Sequence, residues 1–525
     1  MPAPHRIAWW NAGIVLCAAA PAVAQAPDSA ATMPERTELP VARLELENGM
    51  RFLVLPRPGA PTVAFVARFG VGSVDDPPGR SGIAHLLEHL LFKGSSTIGT
   101  TNRAAELFYL SRIDAAADTL ETLRAAIGAP APPVPPGVDT VAGPLPEERR
   151  LVERLAALED SARVFVAPNE FVELLTTNGA RSLNATTDAD ATTYFVELPA
   201  NRAELWFALE ADRMSDPVFR EFYTERDVVT EERRLRVEDQ PGGRIGEALL
   251  AAAYREHPYG VPVIGRIEDI RSLSREAVRD YHARYYGPNN AVVAIVGDVS
   301  PERMVSFARR YFGPIPRAEA PAPVTAVEPP QIAPRRVHVD FDAEPQLRLA
   351  WHTVAGDHPD VPALTVLASI LAGGVTSRLY RRLVLRERSA LAVFAGGGPG
   401  ARFPGLLTIS AAPRAPHGAA ELEAAILEEV ARIADEPPSE RELGAVRNEI
   451  AIGEVERLAS NLGLAFQLAA SETLFGDWRR TFHAPAELRA VTADDVARVA
   501  RDYLRPEVVT VATLGRTDGS VEGPP

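Results

Sequence analysis

Two histidines and one glutamate stand in an otherwise apolar stretch of the chain, GIAHLLEHLLFKG at residues 82–94. If this stretch is helical, residues four apart share a face, so His85 and His89 can present two imidazoles to one zinc ion. Glu88 then lies on the adjoining flank. A zinc ion that keeps an open position lowers the pKa of its bound water toward about 7, and a nearby carboxylate can take the proton as the water attacks a carbonyl. The triplet therefore predicts a hydrolytic site with Glu88 as general base.

The residues around the triplet favour a helix, because Ser81 is a suitable N-cap and Gly94 a suitable C-cap. The alternative is a helix with two buried histidines that hydrogen-bond to the backbone. However, the H-x-x-E-H spacing is the inverted zinc-protease motif, and a charged glutamate among leucines needs a partner, which a metal provides. A purely structural zinc site usually has four protein ligands, often cysteines. We therefore expect a catalytic site that holds one zinc ion per chain.

The length and charge of the chain limit what else it can be. A chain of 525 residues is too long for one hydrophobic core and suggests two or more domains. Its composition, 46% hydrophobic and 24% charged, is that of a globular protein. The formal net charge of −15 argues against a nucleic-acid partner, which needs a basic face, although it does not exclude a local basic patch.

The N-terminus is typical of an export signal, predicted at residues 1–24, with an apolar run from Ile7 to Ala20 and a small-residue cleavage site that ends at Ala24. A membrane anchor and a lipid-modified Cys17 are the alternatives. They are disfavoured because the run is short for a spanning helix and because Leu16 precedes the cysteine. The mature chain would contain no cysteine and hence no disulfide. We expect a secreted, periplasmic protein without a membrane span after the signal.

The end of the chain repeats an earlier segment. LSREAVRDYHARYYGPNNAVVAIVGD, from Leu273, aligns without gaps with VTADDVARVARDYLRPEVVTVATLGR, from Val491. Ser274 matches Thr492 as a helix N-cap, and each copy predicts a capped amphipathic helix, a proline-marked turn and a buried strand. A duplication of this kind sets domain limits.

The repeat predicts two domains, at residues 40–315 and 337–520. The segment between them, 316–336, is proline-rich and lacks periodicity, which suits an extended linker. Within the first domain, two helix-like segments flank APAPPVPPGVDTVAG and predict a helical hairpin inserted at residues 103–167. The sequence leaves open whether this insertion contacts a partner or is only a packing arm.

A later charged segment, TERDVVTEERRLRVEDQ from Thr224, completes a resemblance to the pitrilysin or insulinase family of metallopeptidases. The resemblance implies that Glu232 is the third zinc ligand. Glu225, two turns earlier on the same helical face, would support the site. Glu231 is the rival ligand, but it would face elsewhere on the helix. The gap from His89 exceeds the family's usual spacing, and the predicted insertion accounts for the excess; without the upstream motif the segment would suggest a solvated charged helix.

Between these two segments lies LNATTDADATTYFVELP, from Leu183. The resemblance implies that Asn184 and Ala185 belong to a strand along the cleft that pairs with extended substrate, a mode that recognises the peptide backbone more than its side chains. The alternation from Thr192 to Leu198 fits a strand. Taken alone, the Asn-Ala-Thr-Thr sequence suggests no more than a polar turn.

The second domain contains one departure from the family pattern, in GGVTSRLYRRLVLRERSALAVF from Gly373. Arg386 matches an arginine that reaches the substrate in active members, but Val393 stands where those members have a tyrosine. A donor aimed at developing negative charge often contributes several kcal/mol to catalysis. Some two-domain relatives work as pairs, in which one subunit brings zinc and the other brings the arginine and the tyrosine. The resemblance thus implies a homodimer or a heterodimer with a related subunit, in which this chain bears the zinc.

The predicted fold class is α+β: two duplicated α/β domains, each a mostly antiparallel sheet packed with helices, joined by the proline-rich linker. The implied function is a zinc endopeptidase that acts on peptides or unfolded protein segments inside a chamber formed by opposed domains. His85, His89 and Glu232 would hold the metal. The alternative is a noncatalytic assembly or scaffold subunit of the same fold, which a loss of zinc residues would favour.

Overall fold

Two β-sheets organise the chain, one in each half of the sequence. The structure is a computed structural model and describes residues 39–127 and 146–516. The predicted signal segment, 1–24, lies outside the described residues. Among the helices in those two ranges, none combines the length and hydrophobicity needed to cross a lipid bilayer.

The first sheet has six strands in the order β1-β2-β6-β3-β5-β4. Strands β2 and β6 are parallel, and every other neighbouring pair is antiparallel. The central strand β6, AVVAIVG, is buried along its whole length, as expected where both faces of a sheet are covered. The strands are β1 Ala42–Glu45, β2 Arg51–Pro56, β3 Thr62–Phe69, β4 Arg181–Thr187, β5 Thr192–Pro199 and β6 Ala291–Gly297.

The second sheet has five strands in the order β7-β11-β8-β10-β9. Strands β7 and β11 are parallel, and the other pairs are antiparallel. The strands are β7 Arg335–Asp340, β8 Gln346–His352, β9 Ala390–Gly398, β10 Leu406–Pro413 and β11 Thr510–Gly515. Residues 316–334 form neither helix nor strand, and β7 begins just inside the predicted linker 316–336.

Helices cover both sheets. Those of the first half are α1 Ile83–Leu90, α2 Arg103–Ile127, α3 Pro146–Arg163, α4 Glu170–Thr177, α5 Ala203–Ser215, α6 Phe222–Arg233, α7 Pro241–Ala253, α8 Ile267–Ser272, α9 Arg275–Tyr285 and α10 Pro301–Tyr311. Those of the second half are α11 Val361–Ala372, α12 Ala419–Asp435, α13 Glu440–Ala459, α14 Asn461–Phe475, α15 Arg480–Ala490 and α16 Ala493–Tyr503. A π-helical turn, Arg234–Glu238, continues α6, and another spans Tyr380–Arg386.

The two halves repeat one topology. The five strands β2-β6-β3-β5-β4 correspond in order and in pairing sense to β7-β11-β8-β10-β9. The repeated segments of the sequence form α9 with β6 and α16 with β11, and Ser274 and Thr492 cap the two helices as predicted. The α+β fold class with two duplicated halves is therefore confirmed. The limits 40–315 and 337–520 stay predictions.

Each half covers the far face of the other half's sheet with one helix. From the second half, α14 packs on β3 and β6, where Leu464 and Leu468 join the same apolar cluster as Val66. From the first half, α7 packs on β7, β8 and β11, where Leu249 joins the same cluster as Ala512. Each half thus contributes one helix to the other half's sheet, and the exchange is reciprocal. Each buried leucine in these layers stabilises the fold by about 1.5–3 kcal/mol.

The two helices of the predicted insertion, α2 and α3, are present and pack against each other. Residues 128–145, which connect them, lie outside the described residues. The Arg220 side chain is almost fully buried and donates to Glu106 on α2 and to the backbone carbonyl of Ser95. Because Ser95 lies just beyond α1, this buried ion pair ties the start of α2 to the end of that helix.

Candidate metal centre

Helix α1 carries three of the predicted site residues, and its first turn is fixed differently from the prediction. Ser81 is not the N-cap: its hydroxyl donates to Asp269. The cap position belongs to Gly82, whose φ of 89° is easily adopted only without a side chain. Asp76 instead accepts from the backbone N–H groups of Gly82 and Ala84, at 2.7 and 3.2 Å. Asp76, six residues before the cap position, therefore accepts the hydrogen bonds from the first turn of α1 that Ser81 was expected to accept.

The end of the helical segment agrees with the sequence. Leu91–Lys93 add a 3-10 turn to α1, and Gly94 closes it with a φ of 88°. A Cβ atom at Gly94 would lie 2.4 Å from the carbonyl oxygen of Ile98, so a larger residue would force the loop to move. The buried residues of α1 include Leu86, Leu87 and Leu90, and this apolar packing fixes the direction of its polar face.

The structure brings His85, His89 and Glu232 together. One potential ligand atom from each residue lies within 4.8 Å of the others. Glu232 Oε2 is 3.9 Å from His85 Nε2 and 3.5 Å from His89 Nε2. The two imidazole rings have centroids 4.9 Å apart. Two neighbouring imidazoles and one carboxylate that converge on one point are a donor set suited to zinc.

The surroundings of His85 support a metal ligand rather than a structural histidine. Its Nδ1 is shielded from solvent and has no hydrogen-bond partner among the residues the structure describes. Burial, together with the charges of His89 and Arg236, holds the pKa of His85 well below its ordinary value. His85 is therefore neutral at neutral pH, which is the form that binds a metal.

His89 is oriented by a second carboxylate. Its Nδ1 faces Glu225 Oε2 at 3.5 Å while Nε2 faces Glu232. Burial lowers the pKa of His89, but the hydrogen bond with Glu225 and the charges of Glu232 and Glu88 outweigh it, so the pKa is raised. A carboxylate behind a ligating histidine fixes the ring and makes it a stronger ligand. The predicted supporting place of Glu225 matches this geometry.

Lys93 holds Glu225 in the ionised form. Its Nζ lies 2.6 Å from Glu225 Oε1 and 3.1 Å from Glu221 Oε2. Burial raises the pKa of Glu225, but the interactions with His89 and Lys93 outweigh it and lower the pKa. Lys93, Glu225 and His89 thus form a row of ionic and hydrogen-bonding contacts that ends at the imidazole facing Glu232.

The two adjacent glutamates of α6 have different environments. Glu232 Oε1 lies 2.7 Å from Nη1 of Arg236, which leaves Oε2 turned toward the histidines. Glu231 is exposed and pairs with Arg234 on the solvent side of the helix. Of the two candidates for the third ligand, the structure places Glu232 in the cluster and Glu231 outside it.

Glu88 is a buried carboxylate beside the cluster, with 3% of its surface exposed. The hydroxyl of Thr187 donates to its Oε2 at 2.6 Å. Burial raises the pKa of Glu88, and the hydrogen bond from Thr187 and the charge of His89 offset this only in part. A carboxylate with a raised pKa next to a metal centre is suited to accept and return a proton near neutral pH.

The predicted substrate strand is an edge strand. Asn184 and Ala185 lie on β4, paired with Phe195 and Tyr194 of β5. Strand β4 is last in the order of its sheet, so its other edge carries no strand among the described residues. An open edge close to the metal ligands is the geometry that strand addition by a peptide requires.

The second half contributes nothing to the ligand cluster, which is built from α1 and α6 alone. Arg386 is exposed at the end of the π-helical turn Tyr380–Arg386. Val393 is 2% exposed and packs in the core of the second half. Neither residue is brought to the metal centre by a described contact.

Sequence reasoning missed three polar residues at the site. Lys93 and Arg236 follow His89 and Glu232 by four residues, so helical spacing could have predicted them as neighbours on the same face. Thr187 gave no such signal, because 99 residues separate it from Glu88 and only the pairing of β4 brings them together.

Two family models match the chain. A model described as "Insulinase (Peptidase family M16)" matches residues 51–111 and 151–266, and one described as "Peptidase M16 inactive domain" matches residues 272–450. The chain belongs to the insulinase family, peptidase family M16. The gap between the two matched blocks of the M16 model falls within the predicted insertion, and the ligand helices α1 and α6 lie inside those blocks.

Curated M16 relatives are described as zinc proteases. An uncharacterized zinc protease of Mycobacterium leprae is 26% identical over 485 residues, which is 88% of this chain and 89% of the relative. One from Mycobacterium tuberculosis is 27% identical over 487 residues, 91% of this chain and 92% of the relative. The zinc protease PqqE of Helicobacter pylori is 26% identical over 356 residues, 66% of this chain and 65% of PqqE.

Solved structures share the fold. A protease from Helicobacter pylori superposes with a TM-score of 0.74 and 22% identity, covering 90% of this chain and 99% of that one. The periplasmic protease PqqL of Escherichia coli gives a TM-score of 0.65 and 16% identity, covering 91% of this chain and 48% of PqqL.

Proposed function

We propose that this M16 protein is a zinc-dependent endopeptidase that hydrolyses peptides or unfolded protein segments. The observation that carries the proposal is the convergence of His85, His89 and Glu232 beside the buried carboxylate of Glu88. Relatives that span nearly the same length are described as zinc proteases, which supports the choice of metal.

In this proposal His85, His89 and Glu232 hold one zinc ion per chain. Bound zinc would polarise the scissile carbonyl and make a water molecule more acidic. Glu88 accepts the proton of the attacking water and returns it to the leaving amine. Glu225 keeps His89 oriented. An extended peptide lies along the open edge of β4, where backbone hydrogen bonds hold it with little demand on its side chains.

We further propose that the protein works in the periplasm as the zinc-bearing subunit of a dimer, with a chamber between opposed domains. The predicted signal segment supports export, and the Escherichia coli relative PqqL is described as periplasmic. The valine at position 393 supports a partner, because this chain lacks the tyrosine that the family resemblance implies at that position. A heterodimer with a related subunit that supplies an arginine and a tyrosine would complete the site, whereas a homodimer would bring a second Arg386 but no tyrosine at that position.

The deciding experiment measures zinc content and cleavage of a quenched fluorescent peptide library with the purified mature protein. In Glu88→Gln, zinc should remain near one per chain while cleavage is abolished, because general-base assistance is worth about 10²–10⁴ in rate. In His85→Ala, both zinc and cleavage should be lost. Full activity of Glu88→Gln would refute the proposed mechanism.

A noncatalytic scaffold subunit is the second candidate, because the second half matches a domain described as inactive. That match does not include α1 or α6, which carry the ligands. Zinc bound without Glu88-dependent cleavage, alone or with a related partner subunit, would favour the scaffold. Cleavage that is weak alone and rises with the partner would support the dimer, whereas equal rates with and without it would exclude that part of the proposal.

A further inference from the structure

Thr187 connects the general base to the strand that we propose binds substrate. It is the last residue of β4, three positions after Asn184. Its hydroxyl donates to Glu88 Oε2 at 2.6 Å, across the interface between β4 and α1. The contact depends on the placement of β4, because α1 and β4 are not consecutive elements and 99 residues separate Glu88 from Thr187.

The position of Thr187 is itself fixed by the hairpin of β4 and β5. Thr187 pairs with Thr192, whose side chain is fully buried and donates to the carbonyl of Val71 at 3.0 Å. The turn after Thr187 is held from the second half of the chain, because Asp190 accepts from the backbone N–H of Arg402 at 3.0 Å. The turn end of the β4–β5 hairpin, where the Thr187 hydroxyl meets Glu88, is therefore held by contacts to Val71 and to Arg402.

Orientation matters for Glu88 because a general base must lie within hydrogen-bond reach of the proton it takes. With Oε2 occupied by Thr187, the other carboxylate oxygen is the one left to receive a proton. A carboxylate among leucines has few other polar groups that could fix its rotamer, so loss of one donor would let it turn away from the reacting water.

Resting on the proposed function, we propose that Thr187 is a positioning residue that holds the Glu88 carboxylate from the strand along which the peptide binds. A peptide that adds to the open edge of β4 extends the sheet on one side of this strand. The same strand then presents the hydroxyl that holds the base. Thr187 therefore acts on the chemical step and leaves peptide binding largely unchanged.

The test compares Thr187→Val, which removes the hydroxyl at nearly constant volume, with Thr187→Ser, which keeps it. We expect kcat of Thr187→Val to fall about 10–100-fold, with KM within about twofold and zinc unchanged at one per chain. Thr187→Ser should regain kcat to within about threefold. Thr187→Ala is measured in parallel, so that a poorly folded valine variant does not decide the outcome.

The matched control is Thr510→Val, in the second half. Thr510 is likewise a strand threonine, more deeply buried than Thr187, and its hydroxyl donates to Gln331 Oε1 at 3.2 Å, far in sequence from the ligand helices. This control should keep both kcat and KM. The inference is overturned if kcat is unchanged in both Thr187→Val and Thr187→Ala, or if Thr187→Ser loses as much kcat as Thr187→Val. In either case, Glu88-dependent cleavage by the wild type still supports the proposed function. Absence of Glu88-dependent cleavage by the wild type overturns both.

Discussion

Helices α1 and α11 occupy corresponding places in the two halves, yet only α1 has side chains that could bind a metal or transfer a proton. Helix α1 presents His85, Glu88 and His89 on one face, whereas α11, VPALTVLASILA, contains no ionisable side chain and buries most of its length. The sheets beneath them share strand order and pairing sense. The comparison shows that the same topology accommodates either a polar or an apolar helix at this place. A few polar residues on α1 are what distinguish the metal-binding half from the other.

The polar form requires additional partners. Glu88 depends on Thr187, Glu225 depends on Lys93, and Glu232 pairs with Arg236. Buried charges without such partners would destabilise the first half, because desolvating a charge is costly. In the second half, the corresponding helix α11 has no ionisable side chain and therefore needs no such partner. Four predictions test this difference between the two halves.

The largest effect is expected from loss of a ligand. His85→Ala should lower zinc affinity so far that the purified protein contains little zinc, and cleavage should fall on the order of 10³-fold or more. Zinc content by metal analysis and cleavage of a fluorescent peptide are the measurements. A variant that keeps one zinc per chain would show that His85 is a structural histidine after all.

A core truncation in the corresponding helix should affect folding alone. Leu367 on α11 is fully buried, and Leu367→Ala should lower the free energy of unfolding by about 2–5 kcal/mol while the folded fraction still binds zinc normally. The matched change, Leu87→Ala on α1, should lower stability by a similar amount and also weaken zinc binding. Equal zinc affinities in the two variants would contradict the claim that α1 supports metal binding whereas α11 contributes only to stability.

One of the titratable differences between the duplicated segments is a buried histidine. His282 on α9 corresponds to Ala500 on α16, and burial lowers the pKa of His282 to about 4. The unfolded chain takes up a proton near pH 6.5 and the folded chain only near pH 4, so stability that is present above pH 6.5 is lost as the pH falls between these values. We expect a loss of about 1–3 kcal/mol over this range.

His282→Ala, which places the residue of the second half in the first, should flatten this pH dependence. Denaturant titrations at several pH values between 7 and about 4 measure it. The absolute stability of the variant should also fall because of the cavity, so the slope against pH is the informative quantity. An unchanged slope would mean that the pKa of His282 is the same in the folded and the unfolded chain.

The smallest effect concerns the two N-caps. Ser274→Ala and Thr492→Ala each remove a side-chain oxygen that accepts from a backbone N–H of the first turn, and each should lower stability by about 1 kcal/mol. The Thr492 hydroxyl also donates to Asp495 Oδ2, which accepts from the Thr492 backbone N–H as well, so the loss of stability in Thr492→Ala should be the larger. Thermal unfolding of both variants side by side measures the difference, and a larger loss in Ser274→Ala would reverse the expected order.

Local patterns in the sequence predicted what depends on neighbours along the chain. The spacing of His85 and His89 located the ligand helix, and the match of Ser274 with Thr492 revealed the duplication. Ser81 was wrongly predicted as the cap because Asp76, from an earlier loop, competes for the same backbone groups. Thr187 could not be predicted at all, since its contact with Glu88 depends on strand register, which a single sequence does not encode locally.

The reciprocal placement of α7 and α14 has a consequence for how the protein is made. Neither half alone contains all the side chains of its hydrophobic core, because the apolar cluster on the far face of each sheet includes side chains from the other half. A nascent first half that has left the ribosome alone would expose its sheet until α14 is synthesised. The chain is therefore expected to reach its stable state only after translation of the second half, and a division of its gene in two would succeed only if both products were made together.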